Sequence, residues 1–312
     1  MNEYTLIIFK QILIMLMLMA CGMIGYKTKI ITKEGSKALS DLLVLLVSPV
    51  VIFTSYQRDF DPAMLLGLIE AFFISLLGFA AAGVVAYVCL RKKGKSDIPV
   101  ERFSVIYSNC GFMGIPLVQA LFGAEGVFYI TAVITAFNVL AWTHGVMLFV
   151  SGTDRKFDPK GLKKALTSPN LIAVPLGLIF FVTSVRLPEF MGTALNYVAG
   201  MNTPLAMIIA GATVAQTSLK KTFTNPRAYL VTLLKLLIAP VLILLVISLF
   251  RLPTVVSLTV LVGLSSPTAA MGTIFALSYD RDAVYASELF AITTLLSAVS
   301  LPVIVWLSGF LL

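Results

Sequence analysis

Charge is scarce in this sequence. Only 12% of the 312 residues are Asp, Glu, Lys or Arg, while 59% are hydrophobic. A soluble domain needs far more polar surface to stay in water, so most of this surface is expected to face lipid. Cysteine is sparse too: Cys21, Cys89 and Cys110 lie in apolar segments without ligand spacing, which argues against a disulfide framework or a zinc site. There is a single histidine, His144, and no cluster of His, Cys and carboxylates. Phosphate loops, GxSxG elbows and HExxH helices are absent. An enzyme is therefore not expected and no cofactor or metal is called for, with coupling to protons or sodium left open. The net charge of +8 would suggest nucleic acid in a soluble protein. Here the positive residues occupy short loops between apolar runs and read as topology signals, which points to lipid and away from nucleic acid.

What the sequence does have is long apolar runs. A membrane helix needs about 20 mostly apolar residues, and ten segments qualify, near 4–26, 36–56, 63–90, 99–122, 125–151, 169–185, 189–217, 227–250, 253–278 and 284–311. We number them spans 1–10. Continuous runs of this length predict helices, since a barrel would show shorter segments of strict alternation. Residues 11–25 have the length of a signal-peptide core, but further membrane segments follow, so they are read as part of a retained first span. The expected fold is an all-α integral membrane protein.

Basic residues set the orientation. Lys27, Lys29, Lys33 and Lys37 follow span 1; Arg91, Lys92, Lys93, Lys95 and Arg102 follow span 3. Arg155, Lys156, Lys160, Lys163 and Lys164 follow span 5; Lys220, Lys221 and Arg227 follow span 7; Arg281 follows span 9. The even-numbered loops hold only Arg58, Arg186 and Arg251. By the positive-inside rule the odd loops are cytoplasmic, and both termini lie on the non-cytoplasmic side of the cell membrane.

Five spans is an odd number, so a second five repeating the first would insert upside down. The chain breakers support such a repeat: residues 1–151 as the first half, 152–168 as a cytoplasmic linker and 169–312 as the second half. Ser48-Pro49 in span 2 is matched by Thr203-Pro204 in span 7, 155 residues later. Span 4 is interrupted at Asn109-Cys110-Gly111, then Gly114 and Pro116; span 9 is interrupted at Ser265-Ser266-Pro267, then Gly272, at an offset of 156. Interrupted helices at matching positions of inverted repeats are the best sequence pointer to a transporter binding site.

The physical reason lies in the backbone. Pro removes a donor and clashes with the preceding turn, and Gly lowers the cost of leaving helical geometry. Backbone groups freed in this way must be buried in protein or line a wet cavity. Half-helix starts carry about +0.5 charge and favour anions. Asn109 can donate through its amide, and Ser265, Ser266 and Thr268 through hydroxyls. Lys and Arg are absent from both interruptions. The expected ligand is a small organic anion, bound without a full counter-charge.

The stretch Ser108-Asn109-Cys110-Gly111-Phe112-Met113-Gly114-Ile115-Pro116-Leu117 resembles the signature of the auxin efflux carrier family, which includes the plant PIN exporters and bacterial malate or malonate permeases. Ser265-Ser266-Pro267-Thr268-Ala269, Thr294-Leu295-Leu296 and Leu301-Pro302 are also similar to its last two helices. The resemblance implies ten helices in two inverted five-helix repeats, with discontinuous helices 4 and 9 crossing at the substrate site. It implies a scaffold domain of helices 1, 2, 6 and 7, a transport domain of helices 3–5 and 8–10, and a homodimer through the scaffold. Asn109 matches the family asparagine that contacts substrate carboxylate, and Pro267 the proline of the second crossover. Two departures stand out. The plant exporters have Pro where this chain has Ser108, and their long central loop shrinks here to about residues 152–168. Auxin itself is therefore a doubtful substrate.

The candidate substrate residues are Asn109, Cys110, Gly111, Met113, Gly114, Pro116, Ser265, Ser266, Pro267 and Thr268, with Asn138 and Thr294 bordering the crossover and Asn202 and Thr203 on the scaffold side. Lys235 lies roughly 13 Å along span 8 and reads equally as a coupling or a structural charge. Glu70 could carry a proton or face the outer interface, the second reading being favoured, and Glu288 is expected to be shallow. The expected function is alternating-access transport of a mono- or dicarboxylate such as malate or malonate. The alternatives are a sodium-coupled bile-acid-type carrier, a channel or a non-transporting membrane sensor.

Overall fold

A computed structural model describes residues 3–91, 97–151, 167–217 and 223–312. Among these the chain is helical throughout, apart from loops and one isolated antiparallel bridge. The elements are α1 (Glu3–Lys27), α2 (Lys33–Ser55), α3 (Pro62–Cys89), α4 (Ile98–Ile106), α5 (Cys110–Val150), α6 (Pro169–Val182), α7 (Glu189–Ala215), α8 (Pro226–Ser248), α9 (Thr254–Ser265), α10 (Met271–Ser278) and α11 (Ala283–Ser308). Seven of them, α1, α2, α3, α5, α7, α8 and α11, are long and apolar enough to cross a membrane. The basic residues Lys92, Lys93, Lys95, Arg155, Lys156, Lys160, Lys163, Lys164, Lys220 and Lys221, and linker residues 152–166, lie outside the described residues.

Several helix starts are legible in the sequence. Asp61 accepts from Ala63 N–H at 2.8 Å ahead of Pro62, and Asn225 accepts from Arg227 N–H at 3.0 Å ahead of Pro226. In each case the capping side chain satisfies an orphan donor while proline takes a position where no donor is needed. Inside the long helices, π-helical turns at Leu43–Val47, Cys110–Gly114 and Leu234–Ile238 each come two residues before a proline: Pro49, Pro116 and Pro240. The wider turn relieves the clash between the proline ring and the preceding carbonyls.

Span 4 differs from an ordinary helix in being split. Its first part is α4 and its second part opens α5, which runs on into span 5 through a kink at Gly123 (φ 58°, ψ −139°). That left-handed φ suits glycine. Span 9 is split likewise into α9 and α10, and span 6 is only the 14 residues of α6. At 1.5 Å per residue, α6 reaches about 21 Å, less than a typical hydrocarbon core.

Helix α1 packs against α7, and α2 against α6 and α7, while α3 packs against α4, α5, α8 and α9. The α1–α7 crossing depends on small residues. A β-carbon on Gly22 would collide with the Ile208 carbonyl, and one on Gly211 with the Met19 carbonyl. Close backbone approach of this kind is how membrane helices gain packing energy. Gly211→Val is expected to lower the thermal midpoint of the detergent-solubilised protein, at a cost of about 1–3 kcal/mol from overpacking. An unchanged midpoint would show that the crossing is not tight.

Candidate functional site: two interrupted helices that cross

Helix α4 ends at Ile106, and Tyr107 continues in extended backbone, φ −96° and ψ 118°. Asn109 is also non-helical (φ −77°, ψ 55°), after which its carbonyl accepts from Met113 and Gly114 N–H at 3.1 and 3.3 Å to start α5. Helix α9 ends at Ser265, Ser266 is extended (φ −57°, ψ 152°), and the chain re-enters helix at Met271. The two interruptions lie antiparallel against each other, with Ser108 opposite Thr268. Asn109 N–H donates to Pro267 O at 2.7 Å, and Ala269 N–H donates to Tyr107 O at 3.0 Å.

This corrects one expectation. The backbone groups of the two breaks are not all left free for a ligand; three of their donors are satisfied within the crossover. Besides the two bonds above, Thr268 N–H donates to Thr293 Oγ1 at 3.2 Å on α11. Unpaired backbone donors cost too much in an apolar setting, so each break closes the other. Among the described residues, the buried side-chain atoms without a protein partner include Asn109 Nδ2, Ser265 Oγ, Thr294 Oγ1 and Thr259 Oγ1. Asn109 is 7% exposed, and Ser265 and Thr294 are each 1% exposed. Beside Asn109, Gly111 faces open space, since a β-carbon there would meet nothing within 4 Å.

Other hydroxyls brace the breaks. Thr268 Oγ1 donates to Ser104 O at 2.8 Å, Ser266 Oγ donates to Val262 O at 2.9 Å, and Ser108 Oγ donates to Leu264 O. Lys235, 1% exposed on α8, donates from Nζ to Ser108 Oγ at 2.6 Å and to Val105 O at 3.3 Å.

The remaining expected residues divide clearly. Cys110, Met113, Gly114 and Pro116 are buried beside the crossover. Gly114 and Gly272 make room for neighbours, Ile130 and Phe103 respectively. Asn138 donates to Ile134 O on its own helix at 2.9 Å, so no bond ties it to the crossover. Asn202 Oδ1 accepts from Ser48 Oγ at 3.5 Å, its Nδ2 lacks a protein partner, and Thr203 beside it is half-buried. Glu70 is half-buried on α3, one turn beyond Gly67, which packs on Tyr129. Glu288, expected to be shallow, is 3% exposed.

Two features escaped the sequence reading. The hydroxyl of Ser108 links Lys235 to the crossover; the only sequence signal was the departure from proline at that position. A buried cluster also joins α4, α8 and α11. Glu101, 0% exposed, accepts from Arg227 Nε at 2.8 Å, from the Arg227 guanidinium at 2.6 Å and from the Tyr285 hydroxyl at 3.2 Å.

The sequence matches the family described as "Membrane transport protein" across residues 7–305. The chain belongs to this family, that of the auxin efflux carriers. It is 30% identical over 303 residues to an uncharacterised transporter of Methanothermobacter thermautotrophicus, covering 94% of this chain and 96% of the relative. It is 23% identical over 295 residues to an uncharacterised transporter of Methanocaldococcus jannaschii, covering 90% and 94%. Family membership and the apolar helices together make this a multi-pass membrane protein of a transporter family.

Proposed function

We propose that the protein is a secondary transporter that moves a small organic anion, a mono- or dicarboxylate such as malate or malonate, by alternating access. The observation that carries this reading is the Asn109 amide. It is buried, has no acceptor among the described residues, and stands beside Gly111 at the start of α5, where the first N–H groups have no intrahelical partner. A carboxylate placed there would accept from the amide and face the positive end of the half-helix. Ser265 and Thr294 supply further hydroxyl donors, and Ser266, Pro267 and Thr268 shape the opposite wall.

In this reading the chain has ten spans in two inverted five-helix repeats, with α4 plus 110–122 as the fourth and α9 plus α10 as the ninth. Two observations support the repeat. The packing of α1 on α7 is mirrored by that of α2 on α6, as expected if spans 1 and 6, and 2 and 7, are repeat mates. Ser108 bonds Leu264, its partner at the offset of 156, as residues near a pseudo-twofold axis should. Spans 1, 2, 6 and 7 form the scaffold, with Asn202 and Thr203 on its cavity side, and spans 3–5 and 8–10 move against it. The protein sits in the cell membrane with both termini outside the cytoplasm. It works as a homodimer through the scaffold, where none of the residues Glu189–Gly200 is fully buried and Phe190 and Tyr197 are exposed.

The test is flux into proteoliposomes across a panel of carboxylates, with pH and sodium gradients imposed separately. Saturable uptake that is accelerated by unlabelled substrate on the opposite side is expected. Linear flux without such exchange would indicate a channel and contradict the reading.

A further inference from the structure

The lysine beneath the crossover has an unusual set of partners. Lys235 is buried, and among the described residues no carboxylate lies within ion-pair distance of it. Its Nζ contacts are oxygens: the Val105 carbonyl, in the last turn of α4, and the Ser108 hydroxyl. Ser108 in turn donates to the Leu264 carbonyl, in the last turn of α9. The ammonium therefore sits at the C-terminal ends of both incoming half-helices, one directly and one through a hydroxyl. Each such end carries about −0.5 charge from the helix dipole. Carbonyl and hydroxyl oxygens at helix C-terminal ends, in an apolar protein, are the donor set with which membrane carriers hold a coupling alkali cation. The outgoing half-helices, 110–122 and α10, start on the other side of the same breaks and present the positive ends.

We propose that the Lys235 ammonium is a built-in cation at this crossover, filling the position a coupling sodium ion would need and balancing the two negative helix ends. The charge is covalently attached, so it stays with the moving helices and does not dissociate. The carrier then needs no sodium to organise the crossover. A point charge on a four-carbon stem with three rotatable donors suits the task, and the π-helical turn at Leu234–Ile238 sets its register toward α4. The statement about transport rests on the carboxylate reading; the statement about the cation does not.

The experiment has two arms. Purified protein is first unfolded thermally in sodium, potassium and N-methylglucamine chloride at equal ionic strength. Wild-type midpoints are expected to coincide, Lys235→Ala to unfold at lower temperature, and ethylammonium, but not tetramethylammonium, to restore part of the loss saturably. A saturable sodium-dependent rise in the wild type, or no response of the variant to ethylammonium, would overturn the proposal even if no substrate had been found. In the second arm, proteoliposome flux of the wild type should be the same in sodium and N-methylglucamine media. Lys235→Met, which keeps the stem without the charge, should lose at least about tenfold, the loss expected when a charged hydrogen-bonding group is removed. Full flux through Lys235→Met would overturn the proposal while leaving the carboxylate reading intact.

Discussion

Asn109→Ala should strongly weaken carboxylate uptake while leaving the protein as stable as before, or slightly more so. The two halves of this expectation have one cause. The Asn109 Nδ2 atom is buried and has no acceptor among the described residues. A buried amide in that condition carries a desolvation cost of about 1–3 kcal/mol, and alanine abolishes it. If the amide serves structure, its removal should destabilise; if it waits for an anion, its removal should cost binding alone. A hydrogen bond to a charged acceptor is worth about 1.5–3 kcal/mol, so transport efficiency should fall roughly 10- to 150-fold. The backbone bonds of Asn109 to Pro267, Met113 and Gly114 do not involve the side chain and should persist. Initial uptake rates and thermal midpoints, measured on one preparation, decide it. A variant that transports normally, or one that fails to fold, would count against the assignment.

Arg227→Met is the substitution expected to cost the most stability. Its guanidinium is the bidentate partner of Glu101, whose side chain is 0% exposed. Removing it leaves a buried carboxylate whose one remaining donor among the described residues is the Tyr285 hydroxyl. Breaking a buried pair from one side costs about 3–5 kcal/mol, whereas replacing both partners by apolar groups of similar volume is often neutral. The double substitution Arg227→Met with Glu101→Met should therefore recover most of the loss. Thermal or denaturant unfolding in detergent reads both. A single variant within about 0.5 kcal/mol of the wild type, the range of an ordinary surface substitution, would mean that the pair holds little. Because the cluster ties the first turns of α4, α8 and α11 together, the same variant should loosen the helices that carry the crossover.

The fold was legible in the sequence where it depends on hydropathy and on chain breakers. The apolar runs anticipated an all-helical chain, and seven of the described helices are long and apolar enough to cross a membrane. The two interruptions were visible as Asn109-Cys110-Gly111 and Ser265-Ser266-Pro267. Their mutual pairing was not, because a bridge between Ser108 and Thr268 joins residues 160 positions apart and depends on how separate helices pack. The pairing of the Asn109 and Ala269 N–H groups was hidden for the same reason: each break meets the other's carbonyls. Lys235 stood out as an intramembrane charge, but its acceptors, Val105 O and Ser108 Oγ, follow from tertiary contact alone. Arg227 reads in the sequence as one of the basic loop charges after span 7, and nothing in the sequence marks Glu101 as its partner. The packing of α4 beside α8 is what sets a half-buried Arg227 against the buried Glu101 carboxylate.

In the proposed function the crossover recognises negative charge through the Asn109 amide. The most direct test compares a carboxylate with its neutral amide analogue, matched in size, for binding to purified wild type and Asn109→Ala by titration calorimetry or thermal stabilisation. Saturable binding of the acid anion to the wild type, little or none of the amide, and loss of the acid's advantage in the variant are expected. Equal binding of acid and amide, or an undiminished acid preference in Asn109→Ala, would contradict it.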